Sequence, residues 1–268
     1  MSIRPPSIRH LAGAAGLLAA LATASVSAAD LTVREMAERL YHAEPGHPVD
    51  FSHSNLRELD MSGLNFKGAT LAGSDLFGAD LTGADLSKVD LSAARLDRAV
   101  IIGARFDGAN LAGASLLRPS NFSTLAASPS EAASFAGADL RAAKIFGRFT
   151  RANLKGANLA GATLAPFGRT GFIEHLWRTE LMGADLSGAM LAGADLTYTL
   201  LSFSNLRGAN LSGATLKRAD LSGANLTGAD LTGADLTDAD LDGAILTGVR
   251  GLDTAALARA RNAEKVIR

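Results

Sequence analysis

The chain has 268 residues, with 26 Lys and Arg against 27 Asp and Glu, a formal net charge of −1, 47% hydrophobic and 5% aromatic residues, and no cysteine. The lack of cysteine excludes a disulfide framework and a cysteine-linked lipid anchor. A charge this close to zero argues against a strongly acidic surface spread along the whole molecule.

Residues 1–28 read as a secretory signal peptide. Arg4 and Arg9 give a positive start, Leu11 to Ala22 form an apolar run, and Val26-Ser27-Ala28 has the small residues of a cleavage site. The run is short for a membrane span, so no stable membrane anchor is expected. A capping helix that stays on the mature chain is the alternative. The expected location is periplasmic or otherwise exported, after cleavage near Ala28.

Residues 29–49 predict a short helix and a linker. Thr32-Val33-Arg34-Glu35 has the pattern of a capping box. Val33, Met36, Ala37 and Leu40 follow at helical spacing, and Pro45, Gly46 and Pro48 end the element. At the far end, residues 252–268 predict a second capping helix, with Asp253 placed to cap Ala256, Leu257 and Ala260. Helices at both ends would cover the open backbone of a stacked structure.

Between them, residues 50–251 repeat with a period of five. Inward-type apolar residues run unbroken from Leu56 to Leu116 and again from Leu181 to Leu246, as in Ala219-Asp220-Leu221-Ser222-Gly223. On an α-helix a step of five rotates about 140° and smears the leucines around the surface. On a strand, odd steps put successive leucines on opposite faces. A chain that turns a corner every five residues avoids both problems. Alanine and leucine, two apart, then point inward while the Asp or Asn between them points out. Glycine at Gly183, Gly193 and Gly223 suits the corner.

These residues resemble the pentapeptide-repeat family, whose motif is A-(D/N)-L-x-x. The resemblance implies an all-β fold, a right-handed quadrilateral parallel β-helix with about twenty residues per coil. It covers roughly residues 50–250. Many family members have no assigned biochemical role, and those that bind type II topoisomerases imitate DNA with an acidic rod.

Two interruptions, near 117–134 and 165–180, break the beat, and a milder slip separates Ile145 from Phe149 by four residues. Loops standing off a rigid scaffold are where binding usually resides. The second break holds Phe172, His175 and Trp177. Beyond it, outward positions carry Met182, Met190, Tyr198, Leu200 and Phe203 in place of polar residues. Met182, Tyr198, Leu200 and Phe203 are expected on or near one corner. Phe172, Trp177, Tyr198, Leu200 and Phe203 form the candidate protein-interaction surface, unless the loop folds back and covers it.

No catalytic, cofactor or metal residue is assigned. The chain has no Gly-x-Ser-x-Gly elbow, no His-Glu-x-x-His and no phosphate-cradling loop. His42, His47 and His53 cluster in a linker without a carboxylate set, and His175 lacks an evident partner. Arg95, Arg98, Arg105 and Arg118 could receive an anion, but interleaved Asp97 and Asp107 favour surface ion pairs. Asp220 and Asp240 are expected one above the other. The function expected is a non-enzymatic exported scaffold for an unidentified protein partner, with no cofactor and no nucleic acid. A solenoid end could also pair with a second copy of the chain. The alternative is a cytoplasmic topoisomerase-binding DNA mimic that keeps residues 1–28.

Overall fold

A computed structural model describes residues 29–44, 46–123, 128–166, 178–252 and 254–268. Its frame is a stack of coils joined by parallel backbone bridges. Asp50 pairs with Thr70, Asn55 with Asp75, Asp60 with Asp80 and Asn65 with Asp85, so four bridged positions fill one coil and the fifth, Thr70 with Asp90, begins the next. Each side contributes one bridging residue between two turns, which is why extended strands scarcely form. The two longer strands are β1 (Ser115–Leu117) and β2 (Lys144–Phe146), which pair in parallel.

The five-residue beat dictates this geometry locally. The Asp or Asn before each central residue accepts a hydrogen bond from the backbone N–H two residues on, closing the turn. In Asp235 the Thr237 N–H donates at 3.0 Å and the Thr237 hydroxyl at 2.6 Å; Asp230 receives the same pair from Thr232 at 2.9 and 2.6 Å. The residue at the corner then takes a left-handed backbone, as Gly223 does at φ 63°. Alanine and the central residue point inward, so that Ala219, Leu221, Ala224 and Leu226 are buried in one continuous core. Burying a leucine is worth about 1.5–3 kcal/mol before chain ordering is subtracted.

Those turn carboxylates make the fold sensitive to acid. The Thr237 hydroxyl, then its N–H, then Lys217 hold the Asp235 carboxyl at about 2, well below its ordinary value, and Asp60 and Asp230 are lowered by the same turn bonds. A depressed native pKa means stability that is present above about pH 4 and lost as pH falls toward 2. Unfolding midpoints measured in that window should drop steeply, and Asp235→Asn, which keeps the acceptor, should reduce the slope.

Register records every departure from the beat. Arg105 pairs with Ser134, an offset of 29, so nine residues are inserted in that coil. Ser134 pairs with Asn153, an offset of 19, because the Ile145–Phe149 slip shortens the coil by one. The slip leaves an apolar cavity of about 10 Å³ lined by residues that include Phe135, Ile145, Phe149 and Leu181. Arg148 pairs with Glu180, an offset of 32, reflecting twelve further residues.

The structure corrects the edges of two expected segments. The first interruption begins after Asn121, later than the expected 117. Ser120 still bridges to Val100, and Asn121 occupies an inward position at 3% exposure. Its amide donates to the Arg148 carbonyl at 2.5 Å. A polar residue in a leucine position hid the beat. Residues 252–268 do not form one helix. Helix α2 spans Thr254–Arg259 (α1, at the other end, spans Val33–Tyr41) and a 3-10 turn spans Ala263–Lys265, while Arg261 bridges to Asp240 and Ile267 to Ile245. The last coil still offered unpaired backbone, and the tail supplies its partners. Helix α1 carries the Thr32–Glu35 capping box and buries Met36 and Leu40 against the first coil. Among the described residues no helix is long and apolar enough to cross a membrane.

Candidate interaction surface

Following the bridges gives each outward residue an address. One side of the coil runs through Asp80, Val100 and Ser120; the Asn121 amide bond to the Arg148 carbonyl carries it across to Arg148, and bridges continue it through Glu180, Leu200, Asp220, Asp240 and Arg261. The nine-residue insertion leaves the coil at the far end of this side, after Asn121. The twelve-residue insertion enters at its near end, before Leu181. Both breaks therefore border the same side. A period of five displayed their lengths but not this coincidence.

Tyr198 and Phe203 stand at the two corners of that side, with Leu200 between them. The expectation of a single corner is thus corrected, because five residues separate Tyr198 from Phe203 and one full side separates two corners. Met182 lies on the same side, 38% exposed, whereas Met190 bridges Asn158 and Asn210 on the opposite one. Phe172 and Trp177 lie outside the described residues, as does His175.

Both aromatic residues occupy positions that suit glycine. Tyr198 has φ 62° and Phe203 φ 58°. For a bulky side chain this backbone costs of order 1–2 kcal/mol. Phe203 is 72% exposed, and its ring lies over Gly223 of the next coil, where an added Cβ would come within 2.7 Å of it. Tyr198 is half-buried between arginines. The Arg178 and Arg218 guanidinium carbons lie 5.8 and 5.5 Å from its ring centre, and Arg218 donates to its hydroxyl. Arg218 also donates to Asp238 at 3.4 Å. The corner column thus reads Arg178, Tyr198, Arg218, Asp238, one residue per coil.

Three residues missed in the sequence reading underlie this side. Thr179, Thr199 and Ser204 replace inward alanines next to the aromatic corners and are buried. The Thr179 hydroxyl donates at 2.6 Å to the Leu164 carbonyl, the group that in a regular coil accepts a turn bond from the N–H three residues on, as Leu159 does from Ala162. Ser204 donates to the Leu201 carbonyl at 2.7 Å. The signal available was a polar residue two positions before a central leucine.

Other candidate groups are not brought together. Among the described residues no three His, Asp or Glu side chains converge as a metal site. The His42 ring meets Tyr41 edge-on at 5.2 Å, and His53 packs over Gly73. Asp220 and Asp240 do lie one above the other, and Asp240 holds the tail through Arg261 at 3.5 Å and Asn262 at 2.7 Å. Arg95 pairs with Asp75 and Asp97, and Arg105 with Asp85 and Asp107.

A family model for pentapeptide repeats matches the chain in eight copies, over residues 49–83, 79–116, 179–218 and 209–248. Similar solved structures include HetL, a pentapeptide repeat protein involved in heterocyst differentiation regulation from the cyanobacterium Nostoc sp. strain PCC 7120. It is 29% identical over 89% of this chain and 100% of its own, at a TM-score of 0.39. A pentapeptide repeat protein of the Arabidopsis thaliana thylakoid lumen is 29% identical over 52% of this chain and 69% of its own, at 0.31. QnrB1, a plasmid-mediated fluoroquinolone resistance protein, is 18% identical over 77% of this chain and 84% of its own, at 0.39. No curated protein matches the chain.

Proposed function

The chain belongs to the pentapeptide-repeat family, and from that premise we propose that it is a non-enzymatic, exported scaffold that presents one side of a right-handed quadrilateral β-helix to a protein partner. The observation that carries this reading is the pair of aromatic corners. Tyr198 and Phe203 hold left-handed backbones on the side that both insertions border. Other non-glycine corners, Lys88, Arg98 and Arg151 among them, share that backbone, so what marks this side is the bulky ring held at each of its corners, which a rigid coil presents without an ordering cost on binding. Leu200 completes the anchor between them, and Phe172 and Trp177 are proposed to join it from the second insertion. Export rests on the signal-like residues 1–28.

A first prediction separates binding from folding. Phe203→Gly removes an exposed ring and relieves the backbone, while glycine adds chain entropy to the unfolded state. The unfolding free energy should change by about 0 to +1 kcal/mol in urea titration. A loss above about 2 kcal/mol would mean that Phe203 packs as core.

The partner is tested by crosslinking capture from periplasmic extract, with the mature chain and a folded Trp177→Ser/Phe203→Ser variant. A partner held by the native chain and lost by the variant supports the reading. Equal capture by both moves the surface elsewhere. Recovery of the chain only from the cytoplasm, with residues 1–28 retained, rejects export.

A further inference from the structure

The corner column Arg178, Tyr198, Arg218, Asp238 borders an open groove of about 390 Å³, whose walls also include Asp220 and Arg261. Its three cations are not alike. Arg218 donates to Asp238 at 3.4 Å and to the Tyr198 hydroxyl, and Arg261 meets Asp240 at 3.5 Å. Arg178 has no ion pair among the described residues. The carboxylate nearest to it in the chain, Glu180, is held instead by Arg148 at 3.3 Å.

Arg178 is half-buried, and its Nε–H is shielded from water with no hydrogen-bond partner among the described residues. Its guanidinium carbon lies 5.8 Å from the Tyr198 ring centre. A ring face attracts the charge but satisfies none of the in-plane N–H groups. An unmade bond at a buried, charged donor is costly, and an arriving carboxylate would supply it in charge-assisted form. Contact with the ring already limits the freedom of the guanidinium, so little is left to lose on binding.

The other charges of the groove select the kind of anion. Asp220 accepts from the Ser222 N–H at 3.0 Å and hydroxyl at 2.6 Å, and it has no ion pair among the described residues. It lies two levels from Arg178, about 10 Å along the rod. A phosphate dianion in the groove would meet that charge with twice the repulsion felt by a single carboxylate. Leu200 stands one level beyond Arg178, and Phe203 follows at the far corner, 72% exposed, so a carboxylate carried beside apolar side chains matches this side. We propose that Arg178 binds a carboxylate of the partner, supplied by an acidic side chain or by a free C-terminus. The proposal rests on the reading of this side as the partner surface.

The test is a nuclear magnetic resonance titration of the purified full chain, labelled with nitrogen-15 at arginine. The probes are acetyl-Glu-Leu-Phe-amide, its Gln counterpart, the Gln peptide with a free C-terminal carboxylate, and a phosphoserine counterpart. The Glu peptide should bind about tenfold more tightly than the Gln amide, less so as salt rises, and the free-terminus peptide separates the two carboxylate sources. Arg178→Gln should abolish the preference for Glu over Gln. The Arg178 Nε–H signal of the native chain should shift with the Glu peptide and not with the Gln amide, which decides the matter even if the variant fails to fold. Phe203→Ser reports on the surface separately, and should weaken both peptides alike. Equal binding of Glu and Gln peptides, with Phe203→Ser weakening both, would overturn the carboxylate site and leave the surface reading standing. A Glu preference untouched by Phe203→Ser would do the reverse. A preference that survives Arg178→Gln, tighter binding of the phosphoserine peptide, or no binding of any peptide would also overturn the site.

Discussion

Phe135→Ala is expected to lower the unfolding free energy by about 3–5 kcal/mol, the range for truncating a fully buried phenylalanine. Phe135 is 1% exposed and stacks on Phe106 at 4.8 Å with ring planes 4° apart, while Phe149 meets it edge-on at 6.2 Å. It also lines the cavity left by the Ile145–Phe149 slip, so truncation enlarges an existing void. Rigid neighbouring coils leave little room for collapse, which places the cost toward the upper end of that range. Urea titration followed by circular dichroism measures it. A loss below about 1 kcal/mol would show that the coils around residue 135 can close up, contrary to the packing described.

Gly251→Ala carries the second large effect. Gly251 has φ 71°, and a Cβ there would lie 2.3 Å from the Thr232 Cα and 2.4 Å from its N. Both are backbone atoms within the ladder and cannot swing aside as a flexible side chain does. Overpacking typically costs about 1–3 kcal/mol, and the left-handed backbone adds to it. The damage should be local, because Gly251 leads into α2 and the returning tail. Hydrogen exchange should accelerate at Asp238, Leu241 and Leu246, whose N–H groups donate to the carbonyls of Arg259, Arg261 and Ile267. Amides near Leu91 should keep their protection. Uniform acceleration along the chain would instead mean that the tail and the rod unfold together.

The regular coils were legible because one residue type recurs where one geometry is required. Leu221 and Leu226 must both point inward, and only a corner between them allows it. The same rule failed at Asn121, where an amide bonded to a backbone carbonyl does the work of a leucine and composition gives no hint. The tail was read as helix from Ala256, Leu257 and Ala260, whereas the need of the last coil for backbone partners governs Arg261 and Ile267. Site residues were visible as oddities, with Tyr198 and Phe203 standing where glycine or polar groups recur. Their separation by one full side follows from counting five residues per corner. That both insertions border that side required the bridges themselves, since unequal insertions erase any fixed offset in the sequence.

The nineteen-residue coil resembles an edge dislocation in a crystal. Coils on either side of it are continuous lattices of near-identical layers, and the missing residue is the place where the two lattices fail to match. Around it lie the small void and the two insertions, yet the fault is stitched: β1 and β2 pair over three residues across it, where a regular coil bridges one residue per side. Two stacks of different register are thereby joined into one continuous core.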